Sequence, residues 1–343
     1  MVWFGFGHRG FGQLGDAENP SLELPEPAQI PGPRVQSQDV IIKAVPGWSY
    51  TAYLTADGSL LLCGFVKGEP WQDLHFPDLG CLDVLPSEKY LVVHFKEQVE
   101  CWETKSLGLA GDPPEPMWKM NLPGGLRKAF PLVANGYVLP QPPFFRELPL
   151  KVEALRLSLG NEHAVLLTSC RTVLTWGAGR HGELGHGDLE DVFEPRIVDA
   201  LNGLHMSEVA AGGWHSACIS DGGDIYCWGW NESGQLGLPS KTLAQERGDT
   251  EVTITGDDRD EGSEFITIQS FPALIDLPQE SEALKISCGS RHTACVTRSG
   301  ELYTWGWGRY GQLGHKDIKT LDHPTRVEYF SRKQLYVKDV VSQ

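Results

Sequence analysis

Three histidines offer the most ligand-like chemistry in this 343-residue sequence. His163, His215 and His292 are each competent zinc ligands, and each stands 13 residues before a tryptophan, Trp176, Trp228 and Trp305. They are thus one position in three copies of a unit. Copies of a position are dispersed rather than gathered within the ~2.1 Å that zinc asks of its nitrogen ligands, so histidine and tryptophan are read as structural anchors. Three stretches fit the dinucleotide fingerprint: Gly5-Phe6-Gly7-His8-Arg9-Gly10, Gly177-Ala178-Gly179-Arg180-His181-Gly182 and Gly306-Trp307-Gly308-Arg309-Tyr310-Gly311. A cofactor fingerprint needs a helix next, whose N-terminus meets the pyrophosphate. Gln-Leu-Gly or Glu-Leu-Gly and a polar loop follow instead, which predicts tight turns. The eight cysteines include no pair at metal or redox spacing; Cys218 and Cys295 share a repeat position, as do Cys101 and Cys227. They read as reduced, apolar interior residues. No Ser-His-Asp set, carboxylate pair or iron-binding facial triad can be picked out, so the sequence assigns no catalytic, metal or cofactor-binding residue and no cofactor.

What must position these residues is a repeated hairpin. The segments from His163, His215 and His292 to Gly177, Gly229 and Gly306 align without gaps. Each has two alternating apolar stretches around a short turn, the pattern of a β-hairpin, as in Ala294-Cys295-Val296-Thr297, Arg298-Ser299-Gly300, Glu301-Leu302-Tyr303-Thr304-Trp305. A glycine-rich turn, Gln/Glu-Leu-Gly and a linking segment with Pro195 or Pro324 complete the unit. The 39 glycines and 11 tryptophans suit a protein of short strands and many turns.

Weaker copies extend the array. Tyr50 stands 13 residues before Cys63, and Lys89 13 before Trp102. Strong repeats fall at about 157–200, 207–237 and 285–326, and degenerate ones at about 40–66, 84–111 and 122–148. Residues 4–10 and, after a two-residue insertion, Gln13-Leu14-Gly15 match the second half of a unit. Val337-Lys338-Asp339-Val340-Val341-Ser342 matches the lead-in Ser207 to Gly212. The termini thus read as two halves of one closing blade, which gives seven units and removes free sheet edges; a chain ending at Gln343 leaves that blade short of strands.

The Gly-x-x-His, Thr-x-Trp-Gly-x-Gly-x-x-Gly-Gln-Leu-Gly pattern resembles the repeat of the regulator of chromosome condensation family. The resemblance implies an all-β, seven-bladed β-propeller, a single monomeric domain over 1–343, with each repeat histidine hydrogen-bonded to backbone. The Trp3-Phe4-Gly5-Phe6-Gly7 start, Gly47-Trp48-Ser49-Tyr50-Thr51 and Phe271-Pro272-Ala273-Leu274 are similar to a small vertebrate member. That likeness implies a non-enzymatic scaffold in the nucleus, chromosome-associated with a cytosolic fraction. Its implied partner is a Jumonji-C-domain oxygenase acting on histone methylation and chromosome segregation, with histones met indirectly. The alternative implied by the founding member is nucleotide exchange on a Ran-like small GTPase.

Charge and display positions narrow the partners. The balance is 29 − 45 = −16, with an isoelectric point near 5.1, which disfavours direct nucleic-acid contact. No run of eighteen apolar residues predicts a membrane span. The residue before each anchor differs between copies, Glu162, Trp214, Arg291 and Ser49, and variable loop positions on a fixed scaffold are where binding resides. Trp48, Trp214 and Arg291 are therefore candidate partner contacts. Arg180 and Arg309 sit at the turns and read first as salt-bridged loop residues. The segment 238–266 is an insertion; within 241–264, eight acids stand against three bases. That composition predicts a solvated loop, with Asp257, Asp258, Asp260 and Glu261 as candidate contacts to a basic partner.

Overall fold

A computed structural model of the chain describes residues 2–15, 22–30, 40–76, 79–107, 115–123, 128–149, 151–241, 243–244 and 265–343. It divides into two compact units, residues 1–157 and 158–342, each an array of antiparallel sheets. In the first, β1 (Phe4–His8) pairs with β2 (Glu23–Gln29). A four-stranded sheet follows in chain order, β3 (Ile41–Pro46), β4 (Tyr50–Thr55), β5 (Leu60–Val66) and β6 (Glu69–Phe76). Next come β7 (Asp83–Pro86), β8 (Tyr90–His94), β9 (Gln98–Glu103) and β10 (Trp118–Asn121), and then a three-stranded sheet of β11 (Leu132–Val133), β12 (Gly136–Val138) and β13 (Phe145–Glu147).

The second unit is built from three four-stranded sheets. The first is β14 (Ala154–Leu159, which begins before the unit boundary), β15 (His163–Thr168), β16 (Val173–Gly177) and β17 (Val192–Ile197). The others are β18 (Met206–Ala211), β19 (His215–Ser220), β20 (Ile225–Trp230) and β21 (Ile268–Ile275), and β22 (Ala283–Cys288), β23 (His292–Thr297), β24 (Leu302–Gly306) and β25 (Leu321–Arg326). A short helix, α1 (Glu328–Arg332), follows. Every residue of β15, β19 and β23 is buried, because consecutive sheets pack face to face. Ile219, Ile225 and Cys227 of one sheet share a core with Cys288, Cys295 and Trp305 of the next. Among the described residues no helix is long and apolar enough to cross a membrane.

The repeat anchors join neighbouring sheets. His163 Nε2 lies 2.9 Å from Ser216 Oγ, and that hydroxyl donates to the Glu183 carbonyl at 2.7 Å. His215 Nε2 lies 2.9 Å from Thr293 Oγ1, which donates to the Gln235 carbonyl at 2.7 Å. Each hydroxyl has one proton and spends it on a carbonyl, so each histidine must donate from Nε2. His163 and His215 thus each meet a hydroxyl of the next sheet. Burial lowers the three imidazoles to about 4, 3 and 4 for His163, His215 and His292, which keeps them neutral. Trp228 Nε1 donates to the same Glu183 carbonyl at 2.8 Å, while Trp176 and Trp305 are likewise buried. The Gln/Glu of Gln/Glu-Leu-Gly caps its own turn: Glu183, Gln235, Gln312 and Gln13 accept the amides of His181, Ser233, Tyr310 and Phe11. Seven of the eight cysteines are buried, and burial pushes Cys288 up to about 12, far from a reactive thiolate.

The structure corrects four sequence expectations. Gly7 (φ 112°) matches Gly177 (φ 112°) in conformation and in the strand bulge at that point. Phe6 therefore stands in the tryptophan position, and residues 6–15 follow 176–185 with no insertion. In the second degenerate copy, Tyr90 pairs with Glu103 as His163 pairs with Gly177. The anchor is Tyr90 rather than Lys89, because the turn between β8 and β9 is one residue shorter. Six sheets of three or four strands are present among the described residues, not seven, and the β1–β2 sheet has no third strand. Finally, residues 337–342 form no strand. The Val337 amide donates to the Gly300 carbonyl as Met206 does to Arg171, and the Ser342 amide donates to Ser287 Oγ as Ala211 does to Ser158. The segment follows a lead-in strand's course, one residue off the sequence alignment, without a ladder to make it one.

Candidate functional site

The residue before each anchor and the residue after each Trp-Gly lie side by side at one end of each hairpin. The amide of the second donates to the carbonyl of the first: Ala178 to Glu162 at 2.9 Å, Trp230 to Trp214 at 2.9 Å and Trp307 to Arg291 at 2.8 Å. In the first unit Phe65 donates to Ser49 at 2.8 Å and Thr104 to Lys89 at 2.9 Å. In four copies the intervening residue is a glycine with no room for a side chain, whereas Glu103 fills that place between Lys89 and Thr104. A Cβ on Gly177 would stand 2.4 Å from the Glu162 carbonyl, and at Gly229 or Gly306 2.6 Å from the Trp214 or Arg291 carbonyl. The β19–β20 and β23–β24 hairpins thus present two half-buried side chains as a pair, Trp214 with Trp230 and Arg291 with Trp307, whereas Ser49, Thr104 and Ala178 are buried. In the second unit the loops that carry them are stitched together, Asn161 to Gly212 at 3.3 Å and Gly213 to Gly289 at 3.2 Å.

These loops assemble a row of aromatic rings around one arginine. Trp214 meets Trp230 edge-on, centroids 5.3 Å apart at 86°, and His181 lies 5.9 and 5.6 Å from the two. The Arg291 guanidinium sits over Trp230 at 4.9 Å and near Trp307 at 5.6 Å, and Trp307 meets Tyr310 at 4.9 Å. All six side chains are half-buried. Beneath His181, Glu183 is buried, which raises its carboxyl; Nδ1 of His181 is 3.5 Å away.

Two candidate contacts, Trp214 and Arg291, are therefore brought together, both against Trp230. Arg180 is exposed and paired with Glu162 at 2.8 Å; Arg309 is exposed beside Tyr310. Trp48 is 45% exposed and belongs to the other unit. Asp257, Asp258, Asp260 and Glu261 lie outside the described residues, although the base of their insertion is clamped by Asn231 Nδ2 to the Leu238 and Ile266 carbonyls at 3.0 and 2.9 Å. His163, His215 and His292 are buried in the interior. Among the described residues no group of three potential metal ligands is found.

The regulator of chromosome condensation (RCC1) repeat model matches residues 172–219, 222–296 and 299–342. Human "RCC1 domain-containing protein 1" is 46% identical over 99% of this chain and 94% of its own length, and the mouse protein of that name is equally similar. The chain belongs to the RCC1 repeat family.

Other RCC1 relatives match in part. "Ultraviolet-B receptor UVR8" of Arabidopsis thaliana is 35% identical over 54% of this chain and 38% of its own. Two solved structures of yeast RCC1 (Prp20), one bound to Kap60, superpose with TM-score 0.69 over 96% of the chain at 16% and 18% identity. They establish an all-β RCC1-type propeller and no more. Sequence reasoning found one member of each displayed pair and missed Trp230 and Trp307. The available signal was their place directly after Trp-Gly in two copies; a glycine-rich motif drew attention to its backbone instead.

Proposed function

We propose that this chain is a non-enzymatic protein-binding platform of the nucleus, working with a Jumonji-C-domain oxygenase in the control of histone methylation and chromosome segregation. The single observation that carries the platform is the display row. Trp214, Trp230, Arg291 and Trp307 are held half-exposed by backbone clips, whereas the ligand-like histidines and cysteines are consumed by seams and cores. Tryptophan and arginine are the residues that dominate interface energetics when truncated. The oxygenase is supported by the resemblance to the small vertebrate member, and it would bring its own iron and 2-oxoglutarate. Chromatin is then reached through protein rather than through DNA, in keeping with the charge of −16.

The test is co-purification of the full chain with candidate Jumonji-C oxygenases. Retention at micromolar concentration is expected, and failure of every candidate removes the oxygenase while leaving the platform. Exchange on a Ran-like GTPase rests on fold likeness at 16–18% identity, with no observation that favours it. Nucleotide release from Ran, followed by fluorescence, is expected to stay at the intrinsic rate.

A further inference from the structure

We infer that Arg291 and the indoles beside it take a short acidic peptide segment of a partner, one Asp or Glu carboxylate on the guanidinium and a neighbouring apolar side chain on the Trp214–Trp230 pair. This rests on the platform reading and names the partner chemistry of its face. Arg291 lies over Trp230 and close to Trp307. A guanidinium set beside aromatic rings keeps its N–H donors for an acceptor, and their fork matches a carboxylate bidentately. Among the described residues no carboxylate or carbonyl accepts from this side chain. Other arginines of the unit have their acids: Arg180 pairs with Glu162, Arg298 with Glu282 and Arg326 with Glu301 and Glu328. In a chain with 45 acidic residues, a half-buried arginine set against two indoles and left without one is a site held ready.

Charge selects the occupant. One guanidinium balances one carboxylate, whereas a phosphate dianion or a nucleic-acid backbone calls for several cations, and nearby Arg180 is already neutralised. A cationic or methyl-ammonium ligand is opposed by Arg291 itself. The rings of Trp214, Trp230 and His181 touch, with centroids 5.3 to 5.9 Å apart. They offer a surface for an apolar side chain rather than a cage.

The experiment selects random twelve-residue peptides displayed on phage against the immobilised full chain, then measures labelled synthetic copies by fluorescence anisotropy. Expected are peptides sharing an Asp or Glu close to an apolar residue, weakened at least tenfold by Arg291→Gln. Arg291→Lys, which keeps charge and loses the fork, should fall between. Changing the peptide's acid to its amide should weaken binding to the native chain and change little on Arg291→Gln. Unaltered melting by circular dichroism shows that the variants are folded. Peptides without an acid, an empty selection, equal binding by Arg291→Gln, or a phosphoserine peptide that binds more tightly than its aspartate copy would each overturn the proposal. A partner that co-purifies equally with native and Arg291→Gln chains sinks the carboxylate assignment and spares the platform; a native chain that retains neither peptide nor partner removes both.

Discussion

At the residue scale, the clip glycine and the seam histidine carry the clearest consequences. Gly177, Gly229 and Gly306 have φ of 112°, 111° and 102°, where a Cβ is both strained and in contact with a carbonyl. Gly229→Ala should cost at least about 2 kcal/mol, the strain of a non-glycine residue in this region plus the displaced backbone, read by urea unfolding. The histidines give the fold a pH dependence of definite sign. Each binds its proton near pH 6.5 when unfolded and only near pH 3–4 when folded. Between those values the unfolded chain holds the extra protons, so stability is full above about pH 6.5 and falls as pH drops toward 4. The slope is up to ~1.4 kcal/mol per pH unit for each histidine. His215→Gln should remove about one such share when urea midpoints at neutral pH and about pH 5 are compared; an unchanged slope would contradict neutral burial.

At the element scale, the hairpin was legible in the sequence and its exact register was not. The strong copies announced themselves because one seam, histidine to hydroxyl to carbonyl, is built from the same residue types twice. Where Tyr50 replaces histidine, the 13-residue spacing still finds the anchor; where Tyr90 does, a turn shortened by one residue shifts the reading to Lys89. The N-terminal half-unit misled in a similar way, since Phe6 fills the tryptophan place and Arg9 stands where Gly179 does. Thr293→Val strips His215 of its acceptor and the Gln235 carbonyl of its donor, so it should cost about 1–3 kcal/mol. Glu183 does the work of Gln235 and Gln312 with a carboxyl that resists ionising in its buried place. Glu183→Gln should therefore stabilise the fold by roughly 0.5–2 kcal/mol near neutral pH, seen as a raised urea midpoint. The paired display of Trp214 with Trp230 was half legible, because sequence alone does not show which loop ends meet.

At the whole-molecule scale, composition already bears on the choice of partner. With a formal charge of −16, a short DNA duplex should show no retardation by this protein in a gel at about 150 mM salt, where counterion release would have to supply the affinity. A salt-sensitive shift would overturn that expectation. Family membership follows from full-length similarity, whereas in the proposed platform the choice of partner would fall to a few side chains that differ between repeats. The clip at the end of each hairpin explains how both can hold. Its hydrogen bond runs from backbone amide to backbone carbonyl, and in four of the five copies a glycine, Gly64, Gly177, Gly229 or Gly306, leaves room for it. The side chains on either side differ from copy to copy: Ser49, Thr104 and Ala178 are buried, whereas Trp214 with Trp230 and Arg291 with Trp307 stand half-buried at the surface. Such a surface can be rewritten two letters at a time, which would let one scaffold diverge toward new ligands without passing through an unstable ancestor.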